Sequence, residues 1–365
     1  MAYLPSGLNH HESTENTMPM LNIGLLGYGF AGATFHAPLI GHSGRTALSA
    51  IASSQAEAAA QAWPEARIVA GLDALLADDG LDCIVIATPN DTHFEFARRT
   101  LAAGKHVVVD KPVTLSAEEA RILARTAADS KLLLAPFHNR RWDGDFRTVQ
   151  ALIASGRLGH ITHFESHFDR FRPAVRQRWR EDASNGGGLL YDLGPHLVDQ
   201  ALTLFGAPQN VSATIGTYRE QAKADDYVHL QLGYADKQVV LHASALSALE
   251  APRFTIHGRR GSYLKTGLDS QEDQLKAGLR PGQPGWAKNP PGLIREVEGE
   301  LDLRGELSTL DGAYVEFYRA LAASIQDGAP FPVTADAAVG VAEILELARQ
   351  SNGEGRRLPY AATGW

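Results

Sequence analysis

Along residues 21–137, short apolar runs alternate with stretches in which apolar residues recur at helical spacing. The runs are LNIGLL, LSAIAS, RIVA, CIVIAT, HVVVD and KLLLAPF, and HFEFARRTLAAG and SAEEARILARTAADS lie among the intervening segments. Strands that are apolar on both faces must be covered on both faces, and helical crossovers supply that cover. The pattern predicts an α/β fold with a doubly wound parallel sheet of Rossmann type. Ser116 and Glu119 have capping-box spacing at a helix start, and Gly104 stands where the preceding helix should stop.

Past residue 137 the texture changes. ITHFESHFDRF and YVHLQLGYADKQVVLHASAL alternate apolar and polar positions, with a turn expected at 235–237. Such alternation predicts a large, mostly antiparallel open sheet in a second, α+β domain, one face packed and the other free. Late helices are expected over 311–326 and 335–350, and a Pro- and Gly-rich loop over 277–292. The chain therefore divides into a first domain at 21–137 and a second at 138–365. No internal repeat is visible.

Composition narrows the partners. The chain has 365 residues, 44% of them hydrophobic, and a formal net charge of −8, which gives no electrostatic case for nucleic acid or an anionic membrane. The single cysteine, Cys83, lies in CIVIAT, so an intrachain disulfide is impossible and a reducing, cytoplasmic setting fits. Residues 1–20 are polar, lack an apolar signal core and read as a disordered extension, with Met18 or Met20 an alternative start. The pair His10 and His11 in that tail could bind adventitious metal.

The first run ends in Gly27, Gly29 and Gly32, with Tyr28, Phe30 and Ala31 between them. In this G-x-G-x-x-G pattern the first glycine makes the tight turn and the second admits the cofactor diphosphate. The third lets helix pack on strand, and the diphosphate rests on the positive helix end. The second run ends at Ser53 and Ser54, where an NAD enzyme usually places an acid; two hydroxyls can instead donate to a 2′-phosphate, which favours NADP(H) and leaves NAD(H) open. The fourth run leads into Thr88, Pro89 and Asn90, at the edge where nucleotides bind, and His93 reads equally as a contact or a helix-opening residue.

Two further clusters carry chemistry. HVVVD ends at Asp110, Lys111 and Pro112, which puts a lysine at the carboxyl edge of a central strand, facing the crevice. In GGGLLYDLGPHLVDQALTLFG, a flexible glycine lead-in at 186–188 precedes apolar residues at helical spacing, with Asp192 and His196 four apart and expected on one helical face. A carboxylate beside an imidazole can hold its tautomer and suits a general base. A structural His–Asp pair is the alternative.

GYGFAG, DKP at 110–112 and GGG-x₃-D-x₃-H at 186–196 together resemble the Gfo/Idh/MocA oxidoreductase family. FHAPLI, HNRRWDGDF, RFRP, QRWRE, YDLGPHLVDQ and QEDQLKAG are similar, more narrowly, to NADP-dependent scyllo-inositol dehydrogenases. The resemblance implies a dinucleotide-binding domain at 21–137, a substrate-binding and dimerisation domain at 138–365 whose open sheet joins a homodimer or higher homo-oligomer, and a Lys111, Asp192 and His196 catalytic set. Lys111 would hold the reacting oxygen, His196 would move the proton, and Asp192 would orient it or touch substrate. Asn139, Arg178 and Trp179 would approach the nicotinamide. Two departures stand out: Asp110 replaces the family's usual Glu, and Ser53-Ser54 replaces a Ser-Arg pair.

Arg140, Arg141, Arg170, Arg172, Arg176, Arg178 and Arg180 form a basic stretch, of which one or two members are expected near the ligand, the rest solvated or paired with acids such as Asp143, Asp145 and Glu181. His163, Glu165, His167 and Asp169, with His160 nearby, raise a metal site, but residues two apart on one strand do not converge on an ion, so no metal is expected. The leading reading is a dehydrogenase acting on a small polyol or sugar, scyllo-inositol first. The alternatives are an aldose dehydrogenase and a non-catalytic NAD(P)-sensing regulator, as the family's galactose-pathway corepressor illustrates.

Overall fold

The computed structural model describes residues 19–176, 181–183, 186–249 and 251–362. Strands β1 (Leu21–Leu26), β2 (Thr46–Ala52), β3 (Arg67–Val69), β4 (Cys83–Ile86), β5 (His106–Val109) and β6 (Leu134–Pro136) form one sheet in the order β3-β2-β1-β4-β5-β6. Every neighbouring pair is parallel. Helices α1 (Ala37–His42), α2 (Ala56–Ala62), α3 (Leu72–Leu76), α4 (His93–Ala102) and α5 (Ala117–Asp129) lie along the crossovers. The order reverses between β1 and β4, opening a crevice at their carboxyl ends. The wholly apolar β4 is buried at every position, as its composition demands. At the start of α5 the Ser116 hydroxyl accepts the Glu119 N–H, the predicted cap.

The second sheet contains β7 (Ile161–Asp169), β8 (Asn210–Gly216), β9 (Tyr227–Gly233), β10 (Gln238–Ser244), β11 (Phe254–Gly258), β12 (Gly261–Lys265), β13 (Gly292–Glu298), β14 (Leu301–Leu307) and β15 (Leu358–Pro359). Their order is β14-β13-β12-β11-β7-β10-β9-β8-β15, antiparallel throughout except for the β7–β10 pair. Helices α6 (Gly144–Ala154), α7 (Leu189–Asp192), α8 (Gly194–Phe205), α9 (Gln271–Lys276), α10 (Val315–Asp327) and α11 (Ala335–Glu354) complete the chain. Phe164, Phe168, Leu230 and Leu241 pack with Leu197, Val198, Ile344 and Leu345 into one core. The alternate positions of the strands stay on the open face.

The late part of the chain returns to the first sheet. Tyr314, Phe317, Tyr318 and Leu321 share a core with Leu21, Ile23, Leu39 and Val108. Ala338 joins the core on the sheet's other face, and Val339 and Ala342 pack on α5. Burying each large apolar side chain contributes about 1.5–3 kcal/mol, so α10 is held on the first sheet, and α11, with Ala338 in the first sheet's core and Ile344 and Leu345 in the second's, braces the two together. Among the described residues no helix is long and apolar enough to cross a membrane.

Candidate active site

The crevice at the end of β1 fits a dinucleotide. Gly27 has φ +99°, and a Cβ there would lie 2.4 Å from the Ala87 carbonyl oxygen. A Cβ on Gly32 would lie 2.1 Å from the Gly27 carbonyl oxygen, so both positions require glycine. At Gly29 the space a Cβ would enter is open, as close approach of a diphosphate needs. The helical run that begins at Phe30 directs its first N–H groups here. A cavity of about 590 Å³ runs from this turn past Ser53, Ser54, Thr88, Pro89, Asn90 and His93 to Asp110 and Lys111.

Several residues of this groove also brace it. Ser53 Oγ accepts the N–H groups of Tyr28 and Gln55 at 3.2 and 3.0 Å, while Ser54 is exposed. The Asn90 amide donates to the Gly186 carbonyl at 2.9 Å, joining the crevice to the glycine segment. His93 is buried, with Nδ1 2.7 Å from the Pro112 carbonyl and Nε2 2.9 Å from that of Thr88. Burial holds its imidazole below the ordinary range, so the neutral ring, with a single N–H, serves one carbonyl at a time.

A second cavity, of about 450 Å³, lies between the sheets. Phe30, Ala31, Asp110 and Lys111 line both cavities, which therefore meet at the lysine. Lys111 Nζ donates to the Asp192 carboxylate at 2.9 Å and to the Asp192 carbonyl. Arg170 lies 3.9 Å from the other carboxylate oxygen. His196 and Asn139 also face this cavity.

Asp192 and His196 do not share the single helix that their spacing predicts. Asp192 closes α7, Leu193 departs from regular geometry at φ −115°, and His196 belongs to α8. Pro195 explains the break: it has no N–H for the preceding turn and stands in the first turn of α8, where none is needed. The Asp192 carboxylate is thereby turned toward Lys111. The glycine lead-in also differs from the flexible segment expected. Gly188 has φ +102°, and a Cβ there would lie 2.2 Å from an Asp225 carboxylate oxygen, so it is a closely packed turn.

His196 is 5% exposed, and its Nδ1 has no hydrogen-bond partner among the described residues. Burial, followed by the charges of Lys111 and Arg140, holds its imidazole well below the ordinary range. It rests neutral.

Beneath the lysine, Asp110 accepts the Lys111 backbone N–H at 2.7 Å and faces His36 Nε2 at 3.7 Å. The Tyr318 hydroxyl, on α10, lies 2.6 Å from His36 Nδ1. Burial acts to raise the Asp110 carboxyl, but His36 and the charge of Lys111 outweigh it and hold it at about 2.

Of the basic stretch, Arg140, Arg170, Arg172 and Arg176 line the cavity, more than the one or two expected. Asp143 pairs with Arg140 of this stretch, as expected, whereas Asp145 pairs outside it with Arg253, and both carboxylates are buried. Asp143 lies 3.4 Å from Arg140, and Asp145 lies 3.8 Å from Arg253. Arg253 and Arg140 both stack on Phe168, so cations are packed around an aromatic ring. Glu272 and Lys276 of α9 also line the cavity. Nothing in the sequence singles out either for the site beyond their four-residue spacing, which puts both on one helical face. His36 was missed because its partners, Asp110 and Tyr318, are remote in sequence. The expected nicotinamide contacts Arg178 and Trp179 lie outside the described residues.

A crevice that fits a dinucleotide and opens into a cavity lined by both cations and carboxylates suits an oxidoreductase scaffold. Residues 21–138 match the oxidoreductase-family model for an NAD-binding Rossmann fold, and residues 150–361 match that family's C-terminal alpha/beta domain. The chain belongs to the Gfo/Idh/MocA oxidoreductase family. It is 45% identical to the uncharacterized oxidoreductase YdgJ of Escherichia coli, with 91% of this chain and 96% of that one covered. It is 38% identical to the NADP-dependent scyllo-inositol 2-dehydrogenase IolW of Bacillus subtilis, covering 93% and 95%. A solved oxidoreductase from Bacillus cereus superposes with a TM-score of 0.87 at 31% identity, covering 95% of this chain and all of the other.

Proposed function

We propose that the chain is an NAD(P)-dependent dehydrogenase acting on a secondary alcohol, or the matching ketone, of a cyclic polyol or sugar. Scyllo-inositol and its inosose are the leading pair. The observation that carries this reading is the meeting of the two cavities at Lys111, with a neutral, buried His196 in the wall of the inner one. When bound, the nicotinamide would supply the hydride acceptor at C4.

The chain's own residues do the rest. The Lys111 ammonium, steadied by Asp192, hydrogen-bonds the reacting oxygen and stabilises the negative charge that develops there. The His196 imidazole takes the hydroxyl proton as the carbon is oxidised, and returns it in the reverse direction. Asn139 and the cavity arginines supply hydrogen bonds to the remaining hydroxyls.

NADP(H) is the favoured cofactor. Ser53 Oγ already accepts two backbone N–H groups, so its proton is left to donate to a 2′-phosphate, and IolW is an NADP enzyme by name. We further propose a cytoplasmic homodimer formed through the open face of the second sheet. Steady-state assays of scyllo-inositol, myo-inositol and glucose with each cofactor test the function; no turnover on any of them rejects it.

A further inference from the structure

The open face of the second sheet carries a group of side chains that hydride transfer does not use. Its alternating pattern places His163, Glu165, His167 and Asp169 along β7, too evenly spaced to surround an ion by themselves. The parallel partner strand changes that. His242 on β10 pairs in register with His167, and His229 on β9 pairs with His242.

We propose that His167, Asp169 and His242 form a binding site for a divalent transition-metal ion of the zinc class. One ligand atom from each lies within 4.8 Å of the others. His167 Nδ1 is 3.4 Å from one Asp169 oxygen, and His242 Nε2 is 3.5 Å from the other. Ligands at about 2.1 Å around a tetrahedral zinc ion are separated by about 3.4 Å, so small side-chain rotations close the site.

A buried carboxylate oxygen points to a ligand. The Asp169 side chain is 7% exposed, yet among the described residues its Oδ1 accepts no hydrogen bond, His242 Nε2 standing 3.5 Å away. Burying such an oxygen is costly unless a cation or donor meets it. His167 also turns its other nitrogen, Nε2, toward Glu165 Oε2 at 3.1 Å. That is the carboxylate–histidine–metal arrangement in which the outer acid fixes the tautomer and sharpens the ligand. Two imidazoles and one carboxylate select zinc, cobalt, nickel or copper over calcium or magnesium. His229, whose ring lies 5.5 Å from that of His242, or a water would complete four-fold coordination.

The site is structural rather than catalytic. It joins the carboxyl ends of β7 and β10, directly before Arg170. Arg170 donates its backbone N–H to Ser244 at the end of β10 and approaches Asp192 through its guanidinium. A bound ion would fix the strand end that aims Arg170 at the catalytic cavity.

The full chain, with His10→Ala and His11→Ala introduced to remove the tail imidazoles, is titrated with cobalt(II) and followed by visible absorption; zinc is then added. The proposal expects stoichiometric cobalt with the intense bands of four-coordinate geometry, lost when zinc displaces it. His167→Ala and His242→Ala should each weaken binding by about tenfold or more. Should either variant fail to fold, the spectrum of the parent chain decides alone. Weak six-coordinate bands only, or unchanged affinity in a folded His167→Ala/His242→Ala double variant, overturns the proposal. Neither outcome depends on which substrate the enzyme uses.

Discussion

Lys111 Nζ reaches the Asp192 carboxylate at 2.9 Å across the gap between the two sheets, while His196, four residues further on, starts a different helix. The acid is thus aimed at the lysine. Asp192→Asn should therefore lower kcat/KM by about 10²-fold, the scale of one lost preorganised electrostatic contact, with cofactor affinity little changed. Fluorescence titration with NADPH beside initial-rate kinetics checks both. A mutant whose cofactor affinity falls as far as its rate would contradict the assignment.

His196 should act as a base to unusually low pH. Burial and neighbouring cations lower its pKa, so the proton-accepting form persists below the ordinary imidazole value of about 6.5. The pH profile of kcat/KM for alcohol oxidation should stay flat through that value and fall only in more acidic buffer. His196→Ala should cost about 10²–10⁴-fold in rate. A profile that breaks at the ordinary value would place the titrating group elsewhere.

Stability should fall in acid for a related reason. His93, His138 and His196 all have pKa values lowered first by burial. Their folded values lie below the unfolded ones, so the unfolded chain takes up protons first as pH drops. The stability they contribute is present above about pH 6.5 and is lost below it, at up to about 1.4 kcal/mol per pH unit for each histidine. Urea unfolding at pH 7.5 and 5.5 measures this; equal stability at both would show that the buried imidazoles do not resist protonation.

The glycine turn separates folding from binding. Gly32→Ala puts a methyl into the Gly27 carbonyl and should destabilise the fold, whereas the space at Gly29 is open. Gly29→Val should leave the melting temperature close to the parent value and weaken NADP binding by about tenfold or more, because only the ligand competes for that space. Calorimetry and cofactor titration give the two readouts.

Ser54 is exposed beside the bracing hydroxyl of Ser53. Ser54→Arg adds a guanidinium that can pair with a 2′-phosphate. The NADP/NAD ratio of kcat/KM should rise, by about tenfold for a contact near 1.4 kcal/mol. An unchanged ratio would show that this loop does not read the 2′ position.

Much of this was legible in the chain because its signals are local. Wholly apolar runs mark the parallel strands, Ser116 marks a helix start, and Gly27 and Gly32 mark a turn whose carbonyls leave no room for a side chain. The alternating runs marked the open sheet equally well. What the pattern hid depends on pairing at long range. The four-residue spacing of Asp192 and His196 suggested one helical face, and Pro195 broke that helix. A pairing of Arg140 with Asp143 was legible, but not their burial beside Tyr314 and Glu272, which come from remote segments. His242 meets His167 only because β7 and β10 pair in parallel, a relation that periodicity along one strand cannot carry.

The most direct test of the central claim is cofactor reduction by scyllo-inositol, followed by absorbance in the parent chain and in Lys111→Ala and His196→Ala. The account predicts NADP-linked turnover in the parent chain and its loss in both variants, each still binding the cofactor. Near-parental rates in either variant would contradict it.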